Sequence, residues 1–169
     1  MLFRSLLLLL VSIQAHASEK LDKIIARLEG TYEMIEWDDA GKKFFPPEVS
    51  ARYVIRDGSI MWIAHKNSDG KRNSNAHYGS YLLTETSFAY GYNNWLEVSV
   101  EGDETKISWD PKPEMKSLTL PAMRTFSLSF ENNLLRASAG NIYLEFREDG
   151  FDFVNKVSGF VRKYRRITK

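Results

Sequence analysis

From Thr31 onward apolar and polar side chains alternate with a period of two, and only one earlier stretch has a helical period. Between Ser18 and Leu28, the residues Leu21, Ile24, Ile25 and Leu28 fall at i, i+3, i+4 and i+7. That single apolar stripe predicts a helix, stopped by Gly30. The alternation then predicts strands over Thr31–Trp37, Val49–Arg56, Ser59–Lys66, His77–Leu83, Ser87–Tyr92, Trp95–Val100 and Thr105–Trp109. It continues over Met123–Phe130, Leu134–Ser138, Ile142–Arg147, Phe151–Asn155 and Phe160–Ile167. Turn chemistry separates them, at Asp57-Gly58, Thr84-Glu85-Thr86, Asn93-Asn94, Glu131-Asn132-Asn133 and Ala139-Gly140-Asn141. Longer loops are expected over Asp38–Glu48, over Asn67–Ala76 and around Pro111 and Pro113. Many short strands at near-regular spacing predict an all-β domain, an antiparallel up-and-down barrel of about 8–10 strands with one short N-terminal helix.

The first residues do not fit that domain. Met1 to Arg4 make a short basic start, Leu6 to Ile13 an apolar run broken only by Ser12, and Ala15-His16-Ala17 an A-x-A cleavage pattern. Residues 1–17 read as a secretory signal peptide, which leaves 18–169 as the barrel domain, periplasmic or secreted. The apolar run is too short to cross roughly 30 Å of hydrocarbon, so no transmembrane segment is expected. Removing Arg4 with the leader leaves basic and acidic side chains equal in number, which argues against a nucleic-acid partner. The chain has no cysteine, which excludes disulfides, thiolate metal sites and thiol nucleophiles.

The run Gly30-Thr31-Tyr32, following a helix and opening the first strand, resembles the G-x-W motif of lipocalins and the G-T-W/Y motif of fatty-acid-binding proteins. The continuation to Asp38 is similar to bacterial lipocalin-like domains. The resemblance implies a calycin-type barrel in which the motif's aromatic residue plugs the closed end and a basic side chain of the last strand packs across it. Tyr32 takes the aromatic place, Gly30 marks the closed end, and Arg162, Arg165 or Arg166 is the basic partner, with Arg166 on the same face as Arg162 and Tyr164.

A barrel of this size can enclose one small ligand, and the strands are rich in aromatic residues suited to line it. Alternation nominates Met34, Trp62, Tyr81, Phe88, Tyr90 and Phe126 as ligand-binding residues. The pair Phe44-Phe45 sits in an expected mouth loop, as a lid, as a peripheral membrane or protein contact, or as an anchor folded back onto the barrel. His65 and His77 lie symmetrically about Lys71, so a plain hairpin would set them opposite each other as a metal-ligating or proton-transfer pair; spacing shows no third ligand, with Asp69 and Glu36 as the candidates. Glu36 follows Tyr32 and Met34 at even spacing, so it points into the barrel, or else lies solvated at the rim. No metal and no cofactor is assigned, because no G-x-S-x-G, P-loop, G-x-G-x-x-G or H-E-x-x-H motif occurs.

These features lead to an exported barrel binding a small hydrophobic or amphipathic molecule in its lumen. Two other readings stay open. One is an isomerase, cyclase or dehydratase using Glu36, His65 or His77 as acid or base. The other is an envelope interaction module with a filled barrel and Phe44-Phe45 as its contact.

Overall fold

A computed structural model describes residues 19–68, 70–110 and 123–168. The expected signal peptide, Asp69 and the loop containing Pro111 and Pro113 lie outside the described residues. One helix, α1 (residues 19–28), precedes twelve strands. They are β1 (Gly30–Asp39), β2 (Lys42–Phe44), β3 (Val49–Arg56), β4 (Ser59–Ser68), β5 (Lys71–Leu83) and β6 (Ser87–Glu101). Then come β7 (Glu104–Asp110), β8 (Arg124–Glu131), β9 (Leu134–Ala139), β10 (Ile142–Phe146), β11 (Gly150–Asn155) and β12 (Phe160–Thr168).

Ten strands close a ring in the order β1-β3-β4-β5-β6-β8-β9-β10-β11-β12, with β12 pairing back on β1. All of the pairings are antiparallel. β2 and β7 stand outside the ring as extra partners of β1 and β6. Three two-residue turns, Ala40-Gly41, Asp57-Gly58 and Asn132-Asn133, have positive φ at both central residues. That conformation matches the right-handed twist of paired strands, and Gly and Asn adopt it at low cost.

The closed end is built on the last turn of α1. Ile24 and Leu28 bury the helix's apolar stripe, and Tyr32 inserts beneath it with no exposed surface. The final carbonyls of a helix have no partner within it. Here the Tyr32 hydroxyl donates to the Leu28 carbonyl at 2.8 Å, and Arg166 donates to the carbonyls of Arg27 and Glu29. Arg166 also donates to the Tyr32 hydroxyl at 2.7 Å and lies 5.0 Å from its ring centre. A cation at a helix C-terminus is further favoured by the helix dipole. Below this cap the interior is packed with rings: Phe151 meets Tyr32 at 4.9 Å, Phe146 at 5.0 Å and Tyr164 at 4.5 Å.

Away from α1, the sheet departs from the sequence expectation. The expected loop 67–76 is strand, because the β4–β5 ladder runs to Ser68 opposite Lys71. Its Asn, Ser and basic residues read as loop composition, yet a ladder is made by backbone groups, and here the polar side chains are partly exposed. Likewise 87–92 and 95–100 form one strand, β6, and Asn93 is a bulge between the pairs Tyr78–Asn94 and Gly79–Tyr92. The bulge marks an exchange of partners: residues 87–90 pair with β8 and residues 95–101 with β7. Gly79 lies against this bend, where a Cβ would stand 1.9 Å from the Gly91 carbonyl oxygen. Beyond the bend, the upper parts of β5 and β6 continue with β7 as a sheet extension, joined to the ring through β4, which pairs with β3 as far as Lys66.

Arg166→Met is expected to lower unfolding free energy by about 3 kcal/mol, since it strips charged donors from buried carbonyls, while Tyr32→Phe costs about 1 kcal/mol. Urea unfolding followed by circular dichroism measures both, and a double variant less destabilised than the sum shows that they act as one cap.

Candidate functional site

Inward positions follow from the buried residues: odd-numbered on β3 and β5, even-numbered on β4. On β1 the phase changes midway. Tyr32 and Met34 are buried, but a register shift between Met34 and Glu36 leaves Ile35 exposed and turns Trp37 inward. Trp37 pairs with Arg162, and Glu36 pairs with Lys163 on the outer surface. Of the two positions open to Glu36, inside the barrel or at its rim, the inner one is ruled out: one bulge inverts every later side chain. Glu36 sits between Lys163 at 3.0 Å and Lys43 at 3.3 Å. Its hydrogen bond with Lys163 holds the carboxyl below its ordinary range, with Lys43 adding to the effect. A carboxylate so paired is a poor general base.

The histidine pair is also corrected. The β4–β5 register sets His65 opposite Ser74 and His77 opposite Trp62, so the two rings face opposite sides of the sheet. The sequence centred the hairpin on Lys71, one residue beyond its actual turn. His65 is exposed and shares a 2.8 Å hydrogen bond with Ser74. Asp69 lies outside the described residues. Among the described residues, no group of three or more His, Asp or Glu side chains is placed to hold a metal ion.

All six nominated lining residues belong to the interior, in two groups. Met34, Tyr81, Phe88 and Phe126 are buried members of the core cluster. Tyr81 donates its hydroxyl to the Glu29 carboxylate beside α1. Trp62 and Tyr90 are partly buried and pack against that cluster from the side of the open end. Tyr90 stacks on Phe126 at 5.5 Å. Of the mouth pair, Phe44 is buried and packs beneath Lys66 at 4.6 Å, whereas Phe45 is half exposed. Phe44 is thus the anchor, and only Phe45 remains as contact surface. Gly30, Tyr32 and Arg166 sit at the capped end described above.

Above the ring-packed floor, the interior changes character. Arg162 places its guanidinium 4.2 Å from the Trp37 ring centre, 5.1 Å from Trp62 and 5.0 Å from Phe160. Trp62 donates its indole N–H to the Tyr164 hydroxyl at 3.0 Å, and the hydroxyls of Tyr53 and Tyr92 meet at 2.8 Å. His77 packs against Trp62 at 5.2 Å, Tyr92 at 5.0 Å and Trp95 at 6.4 Å. Lys66 lies 5.3 Å from the Trp37 ring. The result is a layer of phenols, indoles and two cations.

No carboxylate among the described residues lies within 4.0 Å of Arg162 or Lys66, although most other basic side chains of the inner and outer faces near them have one. Arg162 Nε and Trp37 Nε1 are buried N–H groups with no acceptor. Such groups are costly to bury unpaired. Burial raises the Tyr164 hydroxyl to about 12 and pushes those of Tyr53, Tyr90 and Tyr92 above their ordinary value as well. These phenols stay protonated at neutral pH and can donate hydrogen bonds. Sequence reasoning put Arg162 among the barrel-end candidates and missed Trp37, Lys66 and Tyr164. The R-K-Y-R run on an alternating strand was the available signal, since it sends Arg162, Tyr164 and Arg166 to one face.

Comparison adds no relative to this geometry: no protein-family model, curated protein or solved structure matches the chain.

Burial lowers the pKa of His77 below its ordinary 6.5, an effect that Arg162 reinforces and Glu97 partly offsets. The unfolded chain then binds the proton first, so stability is expected to fall as pH drops below 6.5 and to level off below the folded-state value. His77→Gln should flatten that part of a plot of melting temperature against pH; an unchanged slope would assign the pH dependence to other groups.

Proposed function

We propose that this chain is an exported, lipocalin-like barrel that holds one small amphipathic molecule in the upper half of its interior, with the molecule's anionic group toward Arg162. The observation that carries this reading is a partly buried guanidinium among aromatic rings with no carboxylate partner. In low-dielectric surroundings such a cation favours an anion strongly, and an arginine fork suits a carboxylate, sulfonate or phosphate. Protonated Tyr164 and the unpaired Trp37 N–H add donors on the same side. Trp62, Tyr90 and Tyr92 supply apolar and aromatic surface for the body of the ligand. Affinity then comes from apolar burial and selectivity from few polar groups, as in small-molecule sites generally.

Residues 30–32 and the cap they form with α1 and Arg166 support the lipocalin-like assignment. The apolar run Leu6 to Ile13 followed by Ala15-His16-Ala17 supports export, to the periplasm or beyond.

The test uses two ligands of equal chain length that differ in charge, decanoate and decanol, each displacing anilinonaphthalene sulfonate from the folded protein. Decanoate is expected to compete better in the wild type, and Arg162→Met to weaken decanoate by about tenfold or more while sparing decanol. Equal competition by both ligands, or an Arg162→Met variant that keeps the preference for decanoate, would overturn the reading.

A further inference from the structure

The sheet extension formed by β4 to β7 has its polarity reversed relative to the barrel. Its inner face carries Lys71, Asn73, Glu97, Ser99, Glu101 and Lys106 around a polar hollow of about 290 Å³. Lys71 and Glu101 are paired there at 2.8 Å. The outer face is apolar through its middle and its β6–β7 side, with His65, Asn67, Ser74 and Thr105 polar toward the hairpin ends. The ladder aligns Ile63, Ala76, Leu96 and Trp109 in one row, with Met61 beside Tyr78 in the next and Val98 beside Ile107 in another. Ile107 is 67% exposed, Trp109 55% and Tyr78 52%. Met61, Ala76, Tyr78, Leu96 and Trp109, together with His77, Asn94 and Trp95, also border a shallow hollow of about 170 Å³. Large contiguous apolar surfaces on soluble domains mark sites of association.

Charge on this face is one-sided. No outward position of β4 to β7 among the described residues is Asp or Glu, although the chain holds 22 acidic side chains. Arg72 is exposed on the face with no carboxylate within 4.0 Å among the described residues, and Arg52 lies at its β3 border, where Glu33 is 3.5 Å away. A second copy pairing through the same face would add a second Arg72 and no Asp or Glu from β4 to β7, the border carboxylate Glu33 being already engaged by Arg52 and Arg165. An anionic lipid headgroup layer answers this charge directly. Trp and Tyr are also the side chains most enriched where hydrocarbon meets headgroups.

We infer that the outer face of β4 to β7 is a docking surface for a membrane bearing anionic lipids, with Trp109, Ile107 and Tyr78 entering the interface and Arg72 meeting headgroup phosphates. The exposed side chains of this surface lie on the opposite side of the sheet from Trp62 and His77, and the inference does not rest on a ligand in the interior. Binding is peripheral, driven by buried apolar area and reinforced by a small number of charges.

Co-sedimentation with vesicles of phosphatidylglycerol and phosphatidylcholine in equal parts, against phosphatidylcholine alone, tests this on the mature protein at low salt. Partitioning into the anionic vesicles and little into the neutral ones is expected. The double variant Ile107→Ser/Trp109→Ser should lose about tenfold or more of it, and Arg72→Gln about fivefold. Trp109→Phe should retain most of the binding while removing a blue shift of tryptophan emission on vesicle addition. All three positions are solvent-exposed, and matched melting curves check that the variants fold. No vesicle binding, equal binding to both vesicle types, or binding unaffected by the double variant would overturn the inference. So would a wild-type dimer in sedimentation velocity that the same double variant dissociates, since that would assign the face to a second copy.

Discussion

The arrangement rests on satisfying the end of one short helix. A ten-residue helix is marginal by itself, and its last carbonyls would be buried without partners at the closed end of the barrel. Tyr32 and Arg166 supply those partners from the first and last strands of the ring, which also pair with each other directly. Helix termination, ring closure and core packing therefore share the same two side chains. The neighbouring rings of Phe146, Phe151 and Tyr164 fill the space beneath so fully that the molecule's free chemistry is displaced toward the other end.

There a second constraint operates, the phase of β1. The bulge at Ile35 sends Trp37 inward and Glu36 outward, with opposite electrostatic consequences on the two sides of one strand. Outside, Glu36 neutralises two lysines. Inside, Arg162 is left to aromatic faces and phenol hydroxyls. Had β1 kept its phase, a carboxylate would have stood opposite Arg162, and the interior would have held a closed ion pair instead of a guanidinium among aromatic rings.

Much of this was legible in the sequence, and the failures have a common origin. Period-two alternation and turn residues located nearly every strand, because both report backbone geometry locally. The places of Gly30 and Tyr32 followed from the resemblance of their motif, which left Arg162, Arg165 and Arg166 open as the basic partner. Bulges are the information that a parity argument lacks: one extra residue at Ile35 moved Glu36 out of the interior, and one at Asn93 joined two expected strands into β6. The His65 and His77 reading failed similarly, through a hairpin centre placed about one and a half residues too late. The nominated lining residues faced inward as alternation requires, but parity cannot tell a side chain that lines open space from one sealed in a core. That distinction depends on height along the barrel, which is set by the filling of the α1 end.

The exchange of partners along β6 has a thermodynamic consequence. Below Gly91 each β6 hydrogen bond belongs to a closed ring and can break only with its neighbours, whereas above Asn94 the bonds to β7 belong to an open ladder. Opening the ladder leaves the ring intact, so amide protons of β6 divide into two populations of different exchange rate along a single strand. The boundary lies at the close approach of Gly79 to Gly91, next to His77 and Tyr92. The boundary between closed ring and open ladder therefore runs beside the aromatic contact of His77 with Tyr92, and local melting of the β6–β7 ladder leaves the fold's cooperative unit whole.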